Sequence, residues 1–254
     1  MFKVSIKSNF DQVIAKMPDF PRNQLPYALA TALTKTAQEI AKAERKELQD
    51  VFDRPTPYTL DSLYVKPARK TQLSAYVGIK DFSAKGTPAI KFLSAQIDGG
   101  TRHQKRFERA LQAVGALPSG YYVVPGSAAK LDSYGNIDRG LIVQLLSYFK
   151  AFPEMGYKAN MTDKRKASLA KGNAKKGIAG VAYFVGSPGG RLPLGIWSRH
   201  SLGHGSAVKP VLIFVRSAHF KALLDFYYVS DITVKATMDK NIRASIDQAL
   251  KTQR

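Results

Sequence analysis

The sequence predicts an α+β fold: a mainly antiparallel sheet with a long N-terminal helix and further helices packed on it, and an extended basic loop. Three observations predict this class. Apolar residues recur at helical spacing over residues 23–51, apolar and polar residues alternate over residues 72–80, and several short β-like runs follow in the second half of the chain. With 254 residues, 44% of them hydrophobic, the chain can bury a sizeable core. We expect a single domain over residues 1–254.

The first part of the chain is predicted to form a long helix and a β-hairpin. Leu29, Leu33 and Ile40 fall on one stripe of the helix over residues 23–51, and the two prolines of residues 53–57 forbid its continuation. The hairpin pairs residues 60–68 with residues 72–80 around a polar turn.

The middle of the chain is predicted to alternate short helices with one short strand. Thr87 and Pro88 are typical of a helix opening, so we expect helices over residues 89–97 and 105–114. Residues 121–124 are predicted to form a strand. Residues 137–149 form a strongly apolar helical pattern, which indicates a helix that is fully buried or covered by a partner subunit.

Residues 162–177 contain six Lys and Arg against one acid and almost no large apolar side chain, so we predict a basic loop or extended arm there. Three β-like runs follow, over residues 181–185, 195–199 and 208–215. A last helix is predicted over residues 232–250. Its expected buried stripe consists of Met238, Ile242, Ile246, Ala249 and Leu250.

Charge is the most extreme global property of the chain. The sequence has 39 Lys and Arg against 19 Asp and Glu, a formal net charge of +20, which raises the local concentration of polyanions and speeds encounter with them. Two basic clusters are therefore candidate contacts to a polyanion or an acidic partner. They comprise Arg102, Lys105 and Arg106 in the first, and Lys164, Arg165, Lys166, Lys171, Lys175 and Lys176 in the second.

Residue types for catalysis are sparse. The chain has no Cys, and only His200 and His204 among its four His are close in sequence, so we expect no metal site and no cofactor. The glycine-rich residues 186–191 lack the spacing of a phosphate-binding loop and are typical of a turn. Asp19, Glu44 and Lys46 match a short metal-nuclease pattern, but the Glu and Lys fall within the longest predicted helix. We expect no enzyme activity.

Two further groups have a structural and a functional interpretation. Tyr121, Tyr122, Trp197 and residues 226–228 are aromatic and could stack on bases, but such residues more often fill cores or subunit interfaces. No apolar run of membrane-spanning length occurs and the first residues lack a secretory apolar stretch, so we expect a protein made and soluble in a cytoplasm.

Several segments together resemble phage and prophage minor tail protein Z-like, or tail-completion, proteins. The likeness covers roughly residues 25–220, and the basic tract near residue 170 matches nothing in it. The segments are, in chain order, ALTKTA at 32–37, FDRPTPYT at 52–59, GGTR at 99–102, KRFERAL at 105–111, VPG at 124–126, GIWSR at 195–199 and KPVLIFV at 209–215.

The resemblance implies a structural protein of the virion at the head–tail junction, in the neck or tail-completion region, assembled in the host cytoplasm. It implies a homo-oligomeric ring whose partners are portal-associated adaptor, tail tube or terminator proteins. Ring subunits need two different contact surfaces, and an acidic neighbouring ring or the packaged DNA would account for the positive charge. Two alternatives stay open from the residues alone: a sequence-independent nucleic-acid-binding protein, and a Mg²⁺ nuclease using Asp19, Glu44 and Lys46.

Overall fold

The computed structural model describes residues 3–7, of which only the backbone is described, together with 24–84, 86–153, 159–173, 176–186, 190–202 and 205–251. The chain divides into two compact units. The first comprises residues up to Arg102 together with those from Phe220 onward, and the second comprises His103–His219. The expectation of a single domain concerns how these units fold together, and it stays a prediction.

The first unit combines four helices with a three-stranded antiparallel sheet in the order β1-β3-β2. Val77 in the central strand pairs with Val4 on one side and with Val65 on the other. Its helices are α1 (Gln24–Val51), α2 (Pro57–Leu60), α3 (Ile90–Ile97) and α7 (Phe226–Lys251), and its strands are β1 (Lys3–Lys7), β2 (Leu63–Lys66) and β3 (Ser74–Ile79).

Helix α1 organises the first unit because its apolar stripe contacts the sheet while it also packs along α7. Leu33 and Ile40 of α1 are almost fully buried against Val77 of β3. Nearer the end of α1, Leu48 packs in a second cluster with Leu93 and Phe226. Burying a side chain of this size contributes about 1.5–3 kcal/mol, so these contacts hold α1, the sheet and α7 together.

The second unit has three helices around a four-stranded antiparallel sheet in the order β5-β8-β7-β6. Leu145, Ile196, Leu212 and Phe214 are central members of its buried core. The helices are α4 (Arg106–Ala113), α5 (Arg139–Tyr148) and α6 (Asp163–Lys171), and the strands are β5 (Tyr122–Pro125), β6 (Val181–Val185), β7 (Gly195–Leu202) and β8 (Gly205–Val215). Two short strands, β4 (Gly100–Thr101) and β9 (His219–Phe220), pair where the chain leaves and re-enters the first unit.

The predicted α+β class is confirmed, including the long N-terminal helix and the antiparallel pairing of β2 with β3. Thr87 does not cap the next helix, because α3 begins after Ala89 and has no side-chain cap. The last helix begins at Phe226, earlier than predicted, and Leu250 of the expected stripe is exposed. No helix among the described residues is long and apolar enough to cross a membrane.

The basic tract differs from its prediction, because residues Asp163–Lys171 form helix α6 and not a loop or arm. Its capping explains this. The Thr162 side chain accepts a hydrogen bond from the Arg165 N–H at 3.3 Å, Asp163 lies in the first turn and Lys171 in the last, and Gly172 ends the helix at a φ of 69°. Lys and Arg are themselves good helix formers, so the absence of large apolar residues did not exclude a helix.

Candidate functional site

Helix α6 is attached to the second unit through aromatic side chains of its core. The Lys166 ammonium lies over the Tyr148 ring, 4.9 Å from its centroid, and Tyr148 meets Tyr183 edge to face at 5.3 Å. Lys150, just after α5, pairs with Asp163 at 3.5 Å. The pKa of the Tyr183 phenol is raised by burial and by Tyr148, which keeps this contact neutral. These contacts hold α6 with its remaining basic side chains directed to solvent.

Four predicted contact residues are exposed on or just after α6. Lys164 and Lys171 lie seven residues apart, which is two helical turns, so they share one face about 10 Å apart along the axis. Arg165 and Lys176 are also exposed. We call Lys164, Arg165, Lys171 and Lys176 the α6 basic surface. Among the described residues none of the four forms an ion pair, whereas Lys166 is partly buried over Tyr148 and Lys175 lies outside the described residues.

The first predicted cluster lies at the start of α4. Lys105 is the N-cap residue of that helix and Arg106 begins it, both with exposed side chains, while Arg102 precedes them at the end of the first unit. Glu108 explains the local geometry, because its carboxylate is buried and accepts the Lys105 N–H at 2.6 Å. The same carboxylate accepts the Val123 N–H at 2.8 Å and so joins α4 to β5. This cluster therefore includes a structural joint.

The second unit is short of acids to balance its charge. It has 17 Lys and Arg against five Asp and Glu, a net charge of +12 out of the +20 of the chain. Each acid that the structure describes there has a local role. Glu108 joins α4 to β5, Asp132 accepts two turn N–H groups at 2.9 Å, Asp138 caps α5 and lies 3.8 Å from Lys130, and Asp163 pairs with Lys150.

A groove of about 640 Å³ runs beside α6 and α5. Arg165 lines it together with Gln144 and Asn173, so one guanidinium and two amides face the same space. The exposed apolar side chains Val143 and Ile178 complete its wall. Guanidinium and amide donors at such a groove can bind the oxygen atoms of an anion, and Arg165 belongs both to the groove and to the α6 basic surface.

The first unit contains a buried polar contact that sequence analysis missed. Glu44 of α1 is fully buried, and one of its carboxyl oxygens accepts a hydrogen bond from the Ser230 hydroxyl of α7 at 2.8 Å. Burial raises the pKa of Glu44 to about 8, and nearby Glu47 and Asp225 raise it further while the Ser230 bond lowers it. One turn pair away, the Asn241 amide donates to the Thr36 hydroxyl at 3.0 Å.

The residues of the nuclease hypothesis do not converge on one site in the part of the chain that the structure describes. Glu44 points into the interface of α1 with α7, whereas Lys46, two residues later, is exposed. Asp19 lies outside the described residues. Within the described residues no three His, Asp or Glu side chains are grouped to hold a metal ion. His200 instead lies 3.0 Å from the Ser198 hydroxyl, and His204 is outside the described residues.

The predicted aromatic groups divide between core and surface. Trp197 is buried and donates its indole N–H to the Pro193 carbonyl at 2.9 Å, and Phe226 is buried in the first unit. At the start of α7 a group of large side chains is exposed within ten residues of sequence. We call it the α7 apolar surface: Leu223 at 54%, Tyr227 at 51%, Tyr228 at 60% and Ile232 at 46% exposure.

Three of the sequence segments similar to tail-completion proteins meet in the sheet of the second unit. Strand β8 pairs with β5, which contains the Val-Pro of the VPG segment, and with β7, which contains the GIWSR segment. Their glycines allow close approach: a Cβ on Gly126 would lie 2.4 Å from the Pro210 carbonyl oxygen, and one on Gly195 would lie 2.3 Å from that of Leu212. These segments therefore specify how the sheet is joined.

Comparison with known protein families finds no match to this chain, and comparisons with curated proteins and with solved structures find none either.

Proposed function

We propose that this protein is a structural component of a tailed bacteriophage virion at the head–tail junction, acting by protein–protein assembly and not by catalysis. The observation that carries the proposal is the ordered set of sequence segments over residues 25–220 that resemble tail-completion proteins. A shared way of joining the sheet supports it, because three of those segments pair through β5, β7 and β8.

The α7 apolar surface supports an assembly role. Tyr228 and Ile232 lie one helical turn apart and share a face of α7, and both are about half exposed or more. Tyr, with a large apolar ring and a polar tip, is enriched at protein interfaces. In the proposed ring each subunit would cover this surface with a neighbouring subunit.

Particles made without the protein test the proposal most directly. Electron microscopy should show filled heads separate from tails, or heads that have lost their DNA. Normal infectious particles would rule the proposal out. Mass spectrometry of purified mature particles should in addition detect the chain, and its presence only in infected cells would contradict a virion component.

Assembly can be tested on the purified chain with a matched pair of variants. Replacing Tyr227 and Tyr228 with Ser should reduce oligomer formation, alone or with portal and tail components, as measured by native mass determination. The control replaces Tyr27 and Phe82 with Ser, since these are 67% and 77% exposed elsewhere in the first unit. Equal loss of assembly in both variants would remove the α7 apolar surface from the proposal.

A further inference from the structure

We propose that the α6 basic surface, comprising Lys164, Arg165, Lys171 and Lys176, binds the phosphate backbone of double-stranded DNA without reading its sequence. The inference deepens the proposed function and rests on it, because a head–tail junction is where a packaged genome passes a ring of subunits. It names a second partner for the chain and a surface distinct from the α7 apolar surface.

The charge of the second unit is concentrated where acids do not balance it. The described acids there are engaged in caps, in a turn or in an ion pair, as at Glu108, Asp132, Asp138 and Asp163. The only basic partners of those acids within 4 Å are Lys130 and Lys150, which lie outside the α6 basic surface. The positive potential at α6 is therefore not neutralised within the described part of the unit.

The spacing of the charges suits a duplex. Lys164 and Lys171 lie about 10 Å apart along the helix axis, and Arg165 lies beside Lys164. Duplex DNA presents one negative charge per about 1.7 Å of its axis, so a contact of about 10 Å passes roughly six phosphates. Flexible Lys side chains at this spacing can each reach a phosphate without any fixed register.

The chemistry of the surface favours DNA over an acidic protein. None of the exposed large apolar residues in the described chain lies on α6 itself. Protein–protein interfaces deplete charge at their centre and enrich aromatic residues there, whereas protein–DNA interfaces are more polar and much more positive. The partial burial of Lys166 against Tyr148 fixes the helix, so its exposed face is presented in one orientation.

Salt-dependent binding of the full-length chain to a short labelled DNA duplex of mixed sequence tests the inference. The test variant carries Lys164→Gln, Arg165→Gln, Lys171→Gln and Lys176→Gln, since Gln is also a good helix former. It should bind the duplex at least about tenfold more weakly, and its slope of log affinity against log salt should be smaller by about 3.

A matched control separates a defined surface from general charge. It carries Lys42→Gln, Lys46→Gln, Lys91→Gln and Lys240→Gln, which are four exposed residues of the first unit and remove the same formal charge. The control should keep most of the affinity and slope of the unmodified chain. Equal losses in both variants, or failure of the unmodified chain to bind the duplex at low salt, would overturn the inference.

The remaining outcomes distinguish this inference from the proposed function. Binding to poly-glutamate that depends on the same four residues, without binding to DNA, would identify an acidic protein partner and overturn it. Failure of DNA binding while particles lacking the protein still separate into heads and tails would overturn this inference and leave the proposed function standing. Changing two flanking DNA sequences should leave the affinity unchanged, and a strong sequence preference would contradict backbone recognition.

Discussion

The Ser230 hydroxyl donates a hydrogen bond to the Glu44 carboxyl at 2.8 Å, across 186 residues of sequence. The contact joins α1 to α7 inside the first unit, where Glu44 is fully buried. Its other oxygen, Oε2, has no hydrogen-bond partner among the described residues. The carboxyl is therefore stable in this environment mainly as the neutral acid, because an unpaired buried charge is costly.

Glu44 should make the stability of the protein fall with rising pH. Its pKa is raised from an ordinary 4.5 to about 8, so between these values the folded state binds a proton that the unfolded state has released. Stability from this group is complete below pH 4.5, falls as pH rises towards 8 and is then constant. The full loss is on the order of 3–5 kcal/mol, taking 1.36 kcal/mol per pKa unit.

The variant Glu44→Gln, which mimics the neutral acid, should be more stable than the unmodified chain at pH 9 and closer to it at pH 5. Urea unfolding followed by circular dichroism at both pH values measures this difference. Asp50→Asn, at an exposed position of the same helix, is the control and should not change the pH dependence. A constant difference between Glu44→Gln and the unmodified chain at all pH values would contradict the assignment.

Thr36 and Asn241 should be energetically coupled. The Asn241 amide donates to the Thr36 hydroxyl at 3.0 Å, and both residues are buried. Thr36→Val or Asn241→Leu alone leaves one buried polar group unpaired, which costs about 1–3 kcal/mol. The double variant removes both groups and should cost less than the sum of the two.

A double-mutant cycle on unfolding free energies measures this coupling, expected at about 1 kcal/mol. The control cycle pairs Asn241→Leu with Thr233→Val, because the Thr233 hydroxyl bonds to the Val229 carbonyl of its own helix. That pair should be additive. Additivity of the Thr36 and Asn241 changes would mean that the hydrogen bond contributes nothing to stability.

Gly126 and Gly195 should tolerate no side chain. A Cβ at either position would meet a carbonyl oxygen of β8 closer than 3 Å, so Gly126→Ala or Gly195→Ala must displace a strand. We expect each to lower stability by about 2–4 kcal/mol, as overpacking against backbone does. Thermal unfolding measures this, with Ser206→Ala at an exposed position of β8 as the control. Unchanged midpoints in the glycine variants would show that the strands lie further apart.

Removal of the cap of α6 should loosen that helix alone. Thr162→Ala loses the bond to the Arg165 N–H, which costs about 1 kcal/mol of local stability. Amide hydrogen exchange over residues 166–171 should then be about fivefold faster, while exchange in β8 stays the same. Ser168→Ala, exposed on the same helix, is the control. Unprotected amides in the unmodified chain would show that the tract is a loop after all.

The elements that sequence analysis predicted well are those whose apolar spacing and punctuation agree. The stripe of α1 with the prolines after it, and the alternation along β3, each specify one structure and one buried face. The same reasoning failed at α6, because a charged helix fixed by its caps and by Lys166 over Tyr148 has no apolar period to detect.

The buried face of α7 could not be predicted from hydrophobicity. The structure buries Ser230, Asn241 and Ser245 there, while Leu250 is exposed. Ser230 and Asn241 are stable inside because Glu44 and Thr36 lie opposite them. That pairing is a property of two distant segments, so neither segment reveals it alone. The prediction for the basic residues identified the exposed α6 surface in the same way that it identified Lys105, by charge alone.

The separation of Glu44 and Ser230 along the chain determines the order of events during synthesis. A ribosome adds about 5–20 residues per second, so α1 waits roughly 10–40 s for the partner that covers it. All of the second unit emerges within that interval. The nascent first unit meanwhile keeps its carboxyl in water and charged, and it takes up a proton only when the last helix closes over it.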